Sequence, residues 1–256
     1  MSEGSEGAVP AAADAGADVT VTAREDVCRV RTPAEWDWLV TGRRGGDRRA
    51  RAAYNVTVPE GFDRTDLGAY ARERRAEAGF DAAGPALLTG VSMRHARVAA
   101  RGPVTVVATG GLSNPATLPV DESGAAPTDS TSQPPFGTVN LLVATDRALA
   151  PGTRTELLAT AVEAKTATLL PVTGFTGTTS DAVAVGCDPA GDPATFAGSA
   201  TAVGAATRAC VRDALLAALR SRYGGREGEL PDAVPDADHG VVTDGPTRVF
   251  EPTREG

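Results

Sequence analysis

Short runs rich in valine and threonine, several with alternating apolar and polar positions, predict strands at 19–23, 27–31, 36–41, 52–58, 87–92, 103–109, 138–144 and 181–187. Longer stretches with helical spacing fall at 64–78, 153–170 and 204–222. In the last of these, Val211, Leu215, Ala218 and Leu219 recur at i, i+4, i+7 and i+8, one apolar face of an amphipathic helix. Strands outnumber helices and often follow one another directly, which favours antiparallel connections. The expected fold class is α+β, a layered sandwich of mixed, largely antiparallel sheet with packed helices.

Three polar tracts bound this pattern. Residues 1–18 lack periodicity and predict a disordered acidic tail. Residues 121–135 (DESGAAPTDSTSQPP) predict a surface loop inserted within a single domain spanning 19–223. From Gly224 to 256 the chain is acidic and rich in Gly and Pro, with VVTDGPTRVF able to add one late edge strand.

Composition sharpens this picture. Hydrophobic content of 41% with only 4% aromatics implies a core of Val, Leu and Ala. No run approaches the roughly 18 apolar residues of a membrane span, and the acidic N-terminus lacks the features of a signal peptide. A cytoplasmic protein is expected. The net charge is −8, and of the 25 basic residues all but Lys165 are arginine. That balance suits a protein kept soluble in concentrated salt, although a GC-rich genome gives the same arginine bias. It argues against nucleic acid as a partner; the cluster Arg43, Arg44, Arg48, Arg49 and Arg51 is the one place a basic patch could form. Cys28, Cys187 and Cys210 show neither a disulfide framework nor a metal pair, and predict buried thiols. Two histidines, His95 and His239, are too few for a typical zinc site without carboxylates, so no metal is expected.

The lone lysine lies in the helix predicted over 153–170, which Thr153 and Glu156 would open as a capping box. At about 100° per residue, Leu158, Val162, Lys165 and Leu169 fall within about 60° of one another, while Glu163 points roughly the opposite way. A lysine on an apolar stripe snorkels out, finds a partner, or loses its proton. Its retention where every other cation is arginine suits a compact ammonium in a site. Three further segments could carry chemistry. After the strand ending at Thr109, Gly110-Gly111-Leu112-Ser113-Asn114-Pro115 could bring backbone N–H groups close to a ligand, or form a plain turn. Asn140, in the strand GTVNLLV beside Thr138 and Leu142, serves either backbone groups or a ligand. Thr176-Gly177-Thr178-Thr179-Ser180-Asp181 is either a hydroxyl-rich turn or an oxyanion site with Asp181 as base or orienting carboxylate.

The order TGGLSNP, GTVNLLV, VEAKTATL, TGTTSDAVAV resembles the adenosylcobinamide amidohydrolase (CbiZ) family. Upstream, Thr41 to Gly46 and the segment Tyr54-Asn55 to Val58-Pro59 are similar to that family's G-G loop and N-x-x-V-P. The likeness spans about residues 25–223. The family's T-E-A-K lacks its threonine here, with Val162 in its place, and its T-A-G stands as Thr109-Gly110-Gly111. The resemblance implies hydrolysis of the aminopropanol amide of adenosylcobinamide to adenosylcobyric acid and 1-amino-2-propanol, in salvage toward coenzyme B12, with the corrinoid as substrate and no cofactor required. Amide hydrolysis needs a base, an oxyanion partner and an acid, and the residues themselves suggest Glu163 or Asp181 as base and Lys165 as acid or electrostatic stabiliser. Asn55, Thr109, Asn114, Asn140, Thr178 and Thr179 are then substrate-binding candidates. Two rival expectations are a non-catalytic corrinoid-binding protein and a self-processing amidohydrolase whose N-terminal nucleophile would come from Gly186-Cys187-Asp188 or Gly177-Thr178.

Overall fold

Two neighbouring β-rich runs, 27–31 and 36–41, are separated by Thr32-Pro33-Ala34-Glu35, and proline cannot donate to a strand ladder. In a computed structural model, which describes residues 19–42, 45–119, 137–225, 231, 233–237, 239–244 and 247–253, these runs form one bent strand, β2 (Val27–Val40). Its pairing with β3 (Gly46–Thr57) shifts register between Arg31 and Trp36, and Thr32 Oγ1 donates to Ala34 O at 2.7 Å across the bulge. The correction is physical: a proline at a bulge bends a strand without ending it. The tract 1–18, the loop 121–135, and Arg43 and Arg44 lie outside the described residues.

The main sheet adds β1 (Thr20–Arg24), β4 (Ala86–Thr89), β5 (Arg97–Arg101), β6 (Val104–Gly110), β8 (Val139–Thr145) and β11 (Ala182–Cys187). Its order is β4-β3-β2-β11-β8-β6-β5, with β1 also on β2. Only β3–β4 and β8–β11 are parallel within it, giving the mixed, largely antiparallel α+β layering. Strand β5 is absent from the sequence expectation because four of the five residues of its run RVAAR are arginine or alanine; at a sheet edge Arg101 is exposed and Arg97 half-buried.

Helix α2 (Pro151–Thr173) connects the parallel pair β8 and β11, and α3 (Ala202–Tyr223) packs beside it. Both cover one sheet face, where Val106, Leu141, Val143 and Val185 meet Leu157, Ala161 and Leu215. Val211, Leu215, Ala218 and Leu219 are all buried, as the periodicity of α3 requires. The bent β2–β3 hairpin carries β4 back over the opposite face, so the sheet curls upon itself. The Asn55 side chain of β3 and the Leu88 carbonyl of β4 meet Asn140 of β8 directly although two strands separate β3 from it in the sheet order. Helix α1 (Leu67–Glu77) closes the outer side of β3 around Tyr54, Val56, Tyr70 and Phe80.

Helix α2 departs from its sequence reading at both ends. It starts at Pro151, whose missing N–H costs nothing in a first turn, and ends at Gly174 in the left-handed region (φ 74°). The capping box is not formed. Thr153 Oγ1 donates to Thr195 O at 3.0 Å and Glu156 accepts from Ala197 N at 2.7 Å, so both side chains tether the 195–197 loop instead. The buried stripe runs through Leu157, Ala161, Ala164, Lys165, Thr168 and Leu169, while Leu158 lies at its margin and Val162 is exposed.

Small sheets flank the core. In one, β10 (Gly177–Thr178) and β13 (Val241–Val242) lie on either side of β7 (Pro115–Thr117); in the other, β12 (Pro193–Ala194) pairs with β9 (Ala148–Leu149). Among the described residues no helix is long and apolar enough to cross a membrane.

Candidate active site

Lys165 lies on the face of α2 turned to the start of β11, and only 6% of its surface is exposed. Its ammonium does not snorkel. It donates to Asp181 Oδ2, on the residue just before β11. The remaining acceptor positions of Asp181 are also taken: Val139 N reaches Oδ1 at 2.9 Å, Thr178 Oγ1 reaches Oδ1 at 2.5 Å, and Thr178 N reaches Oδ2 at 3.1 Å. A carboxylate offers about four lone-pair sites, so these four contacts saturate Asp181. Gly177 makes the approach possible, because a Cβ there would lie 2.5 Å from Asp181 Oδ2 and 2.7 Å from Lys165 Nζ. Thr179 and Ser180 continue the turn at the surface; Thr179 N donates to Asn114 O at 3.1 Å, and Ser180 Oγ to Gly137 O at 3.3 Å.

A second polar cluster occupies the inner face of the curled sheet. Asn140 Nδ2 donates to Asn55 Oδ1 at 2.8 Å and to Leu88 O at 2.9 Å, and Asn55 Nδ2 donates to Thr109 Oγ1 at 2.9 Å. Thr138 Oγ1 donates to Thr89 Oγ1 at 2.6 Å beside them. Both hydrogens of the Asn140 amide are thereby committed, which fixes its orientation. Its Oδ1 is buried and accepts no hydrogen bond among the described residues. Asn140 thus serves a backbone carbonyl and retains one acceptor.

The sequence-derived candidates fall into groups. Lys165, Asp181 and Thr178 come together on the helix-facing side; Asn55, Thr109 and Asn140 come together on the inner side; Asn114 and Thr179 are joined through the backbone. The first two groups meet at the start of β8, where Val139 binds Asp181 and Asn140 begins the inner network. Glu163 joins neither. It is exposed and paired with Arg208 of α3 at 2.5 Å. Exposed pairs of this kind contribute little, so Glu163→Gln is expected to keep turnover within about threefold and stability within about 1 kcal/mol. Assaying that variant beside the parent checks both.

The Gly110-Gly111 pair is also corrected. Its glycines permit internal packing, not ligand approach: a Cβ on Gly110 would lie 2.9 Å from Leu219 and one on Gly111 2.8 Å from Val91. Two of the loop's N–H groups are spent inside, Gly111 N on Thr138 O at 3.0 Å and Leu112 N on Tyr223 Oη at 2.8 Å. Thr89 and Tyr223 were not legible as site components, and Gly177 was legible only as part of its turn. Thr89 closes an ordinary-looking LLT strand, and Tyr223 is 111 residues from its partner.

Residues 11–227 match the family described as adenosylcobinamide amidohydrolase, CbiZ. The chain belongs to that family. Among curated proteins, the adenosylcobinamide amidohydrolase of Halobacterium salinarum is 53% identical over 219 residues, covering 84% of this chain and 92% of the relative. Both polar clusters of this family member lie within the matched span.

Other nucleophile chemistries find no support in its geometry. All three cysteines are buried and free. Burial pushes the Cys28 thiol up to about 12 and the Cys210 thiol up to about 11, and raises Cys187 as well. These thiols stay protonated at neutral pH. His95 Nδ1 lies 3.1 Å from Ser221 Oγ, yet its Nε2 accepts from Arg94 Nε at 2.9 Å, so Nδ1 carries the proton. Ser221 Oγ also accepts from Arg97 at 2.5 Å, and a hydroxyl receiving two donors is not an activated nucleophile. Among the described residues no three His, Cys, Asp or Glu side chains are grouped to hold a metal.

Proposed function

We propose that this chain hydrolyses the aminopropanol amide of adenosylcobinamide, releasing adenosylcobyric acid and 1-amino-2-propanol, with Lys165 at the reacting bond. The family match over 11–227 carries the activity; the buried Lys165–Asp181 pair inside that span supports the assignment of the lysine. An amide carbonyl gains negative charge as it is attacked, and a fixed ammonium in a site shielded from water stabilises that charge strongly. An ammonium has three N–H donors, and one is directed at Asp181. A second can meet the oxyanion that develops as water adds to the carbonyl; the same group then gives a proton to the leaving amine as the C–N bond breaks, and the proton shed by the added water restores the ammonium. Asp181 acts as the orienting carboxylate, because accepting from Val139, Thr178 and Lys165 leaves it no ready lone pair for a water. Asn140 Oδ1 is suited to accept from a substrate N–H or O–H on the inner side. The acidic, arginine-rich composition fits a salt-loving source and a cytoplasmic setting.

Incubation with adenosylcobinamide, with and without chelator, followed by mass identification of products, tests this reading. The expected result is both products in equal amounts, unchanged by chelator. Corrinoid retained intact on the protein, with no 1-amino-2-propanol, would favour a binding protein. A chelator-sensitive rate would overturn the metal-free scheme.

A further inference from the structure

The ladder of β1 and β2 sets Arg24 opposite Val27, Arg29 opposite Thr22 and Arg31 opposite Thr20, so all three arginines share one face of the sheet. That face continues onto β3, where Arg29 lies opposite Tyr54. The guanidinium carbons of Arg29 and Arg24 stand 4.3 and 5.5 Å from the centroid of the Phe80 ring. Arg75, from α1, stands 5.7 Å from the Tyr54 centroid, and the two rings are 6.1 Å apart. Four cations are thus gathered about one aromatic pair.

Several arginines elsewhere find carboxylates: Arg64, Arg74, Arg147 and Arg208 form ion pairs. Among the described residues Arg24, Arg29, Arg31 and Arg75 form none. Asp81 is the carboxylate whose charge reaches Tyr54, and it makes no ion pair with them. Arg29 Nε and Arg75 Nε are moreover buried without a hydrogen-bond acceptor among the described residues. Like charges set side by side on neighbouring strands repel, and a buried N–H without an acceptor is costly. The repulsion is relieved if an anion with several acceptor oxygens sits among the guanidiniums.

We propose that this face binds a tetrahedral oxyanion of the phosphate class, free or as a monoester. Its oxygens present acceptors in several directions, as planar guanidinium forks on different elements require, and its double charge matches the cation density better than chloride. The site is distinct from the candidate active site: Tyr54 faces it, while the next residue, Asn55, points through the other face of β3 to Asn140.

The test is calorimetric titration of the full chain with inorganic phosphate and, separately, glycerol 3-phosphate, at ionic strength held constant with potassium chloride. Saturable 1:1 binding is expected, with a melting temperature that climbs with the logarithm of phosphate concentration. The double variant Arg29→Gln, Arg75→Gln is expected to bind at least about tenfold more weakly. Its circular dichroism in phosphate-free buffer verifies folding, and Arg24→Gln, Arg31→Gln, at exposed positions, replaces it if it does not fold. Tighter binding of glycerol 3-phosphate identifies a monoester ligand, tighter binding of phosphate a free anion. The proposal is overturned if the variants bind as the parent does, or if phosphate acts no differently from chloride at equal ionic strength.

Discussion

Lys165→Met is expected to lower release of 1-amino-2-propanol by about a thousandfold or more, the scale on which a preorganised oxyanion donor acts. The substitution keeps an unbranched apolar stem in the α2 stripe and removes only the ammonium. Asp181 would then retain its bonds from Val139 N and from Thr178 but lose its counter-charge while remaining 14% exposed at its side chain. Breaking a buried pair from one side typically costs about 3–5 kcal/mol. A fall in urea midpoint should therefore accompany the loss of turnover. Lys165→Arg separates the two effects. It restores charge but brings a planar, bulkier group to a position where even a Cβ on Gly177 would lie 2.7 Å from Nζ. Stability should partly recover while turnover stays low. Corrinoid binding, followed by absorbance, should persist in both variants. Full turnover in either would remove Lys165 from the chemistry.

How much of this was legible follows from the range of each interaction. The inward turn of Lys165 was readable from helical spacing, and so was the opposed direction of Glu163, because both depend on residues within one helix. Alternation likewise grouped Asn140 with Thr138 and Leu142 within its own strand, while its pairing with Thr109 came only from the sheet register. The partners were not readable. Asn55 meets Asn140 across 85 positions of sequence, through a sheet that curls where Pro33 and its neighbours shift the β2–β3 register. Thr153 and Glu156 have the spacing of a capping box, yet the loop at 195–197 offered better partners and the helix began two residues earlier. Local rules gave way wherever a distant backbone group competed for the same side chain. The glycine pair at 110–111 shows the same limit: its freedom was evident, but its reason, the approach of Leu219 and Val91, belongs to the tertiary packing.

Gly177 supplies a sharper probe of the site than any charged residue. It carries no charge, lies in β10 opposite Ala116, and its φ is outside the left-handed region, so alanine suits the backbone there. Its new methyl group would nevertheless sit 2.5 Å from Asp181 Oδ2 and 2.7 Å from Lys165 Nζ, closer than any carbon can approach either atom. One or both side-chain ends must shift, which moves the ammonium from the position proposed to face a substrate carbonyl. Replacing Gly by Ala in a compatible conformation stabilises a chain by about 0.4–1 kcal/mol through the unfolded state, which offsets part of the strain. Gly177→Ala is therefore expected to lower turnover by about a hundredfold, since misplacement on the order of 1 Å is enough for that. Its melting temperature should shift far less than that of Lys165→Met. Gly152→Ala, in the first turn of α2 with nothing within 4 Å of the added carbon, is the matched control: it should leave turnover unchanged and raise the melting temperature slightly. Parent-like turnover in Gly177→Ala would mean that the lysine–aspartate contact is structural and that the amide is cleaved elsewhere. Loss of turnover with a nearly unchanged melting temperature would place the chemistry at that contact.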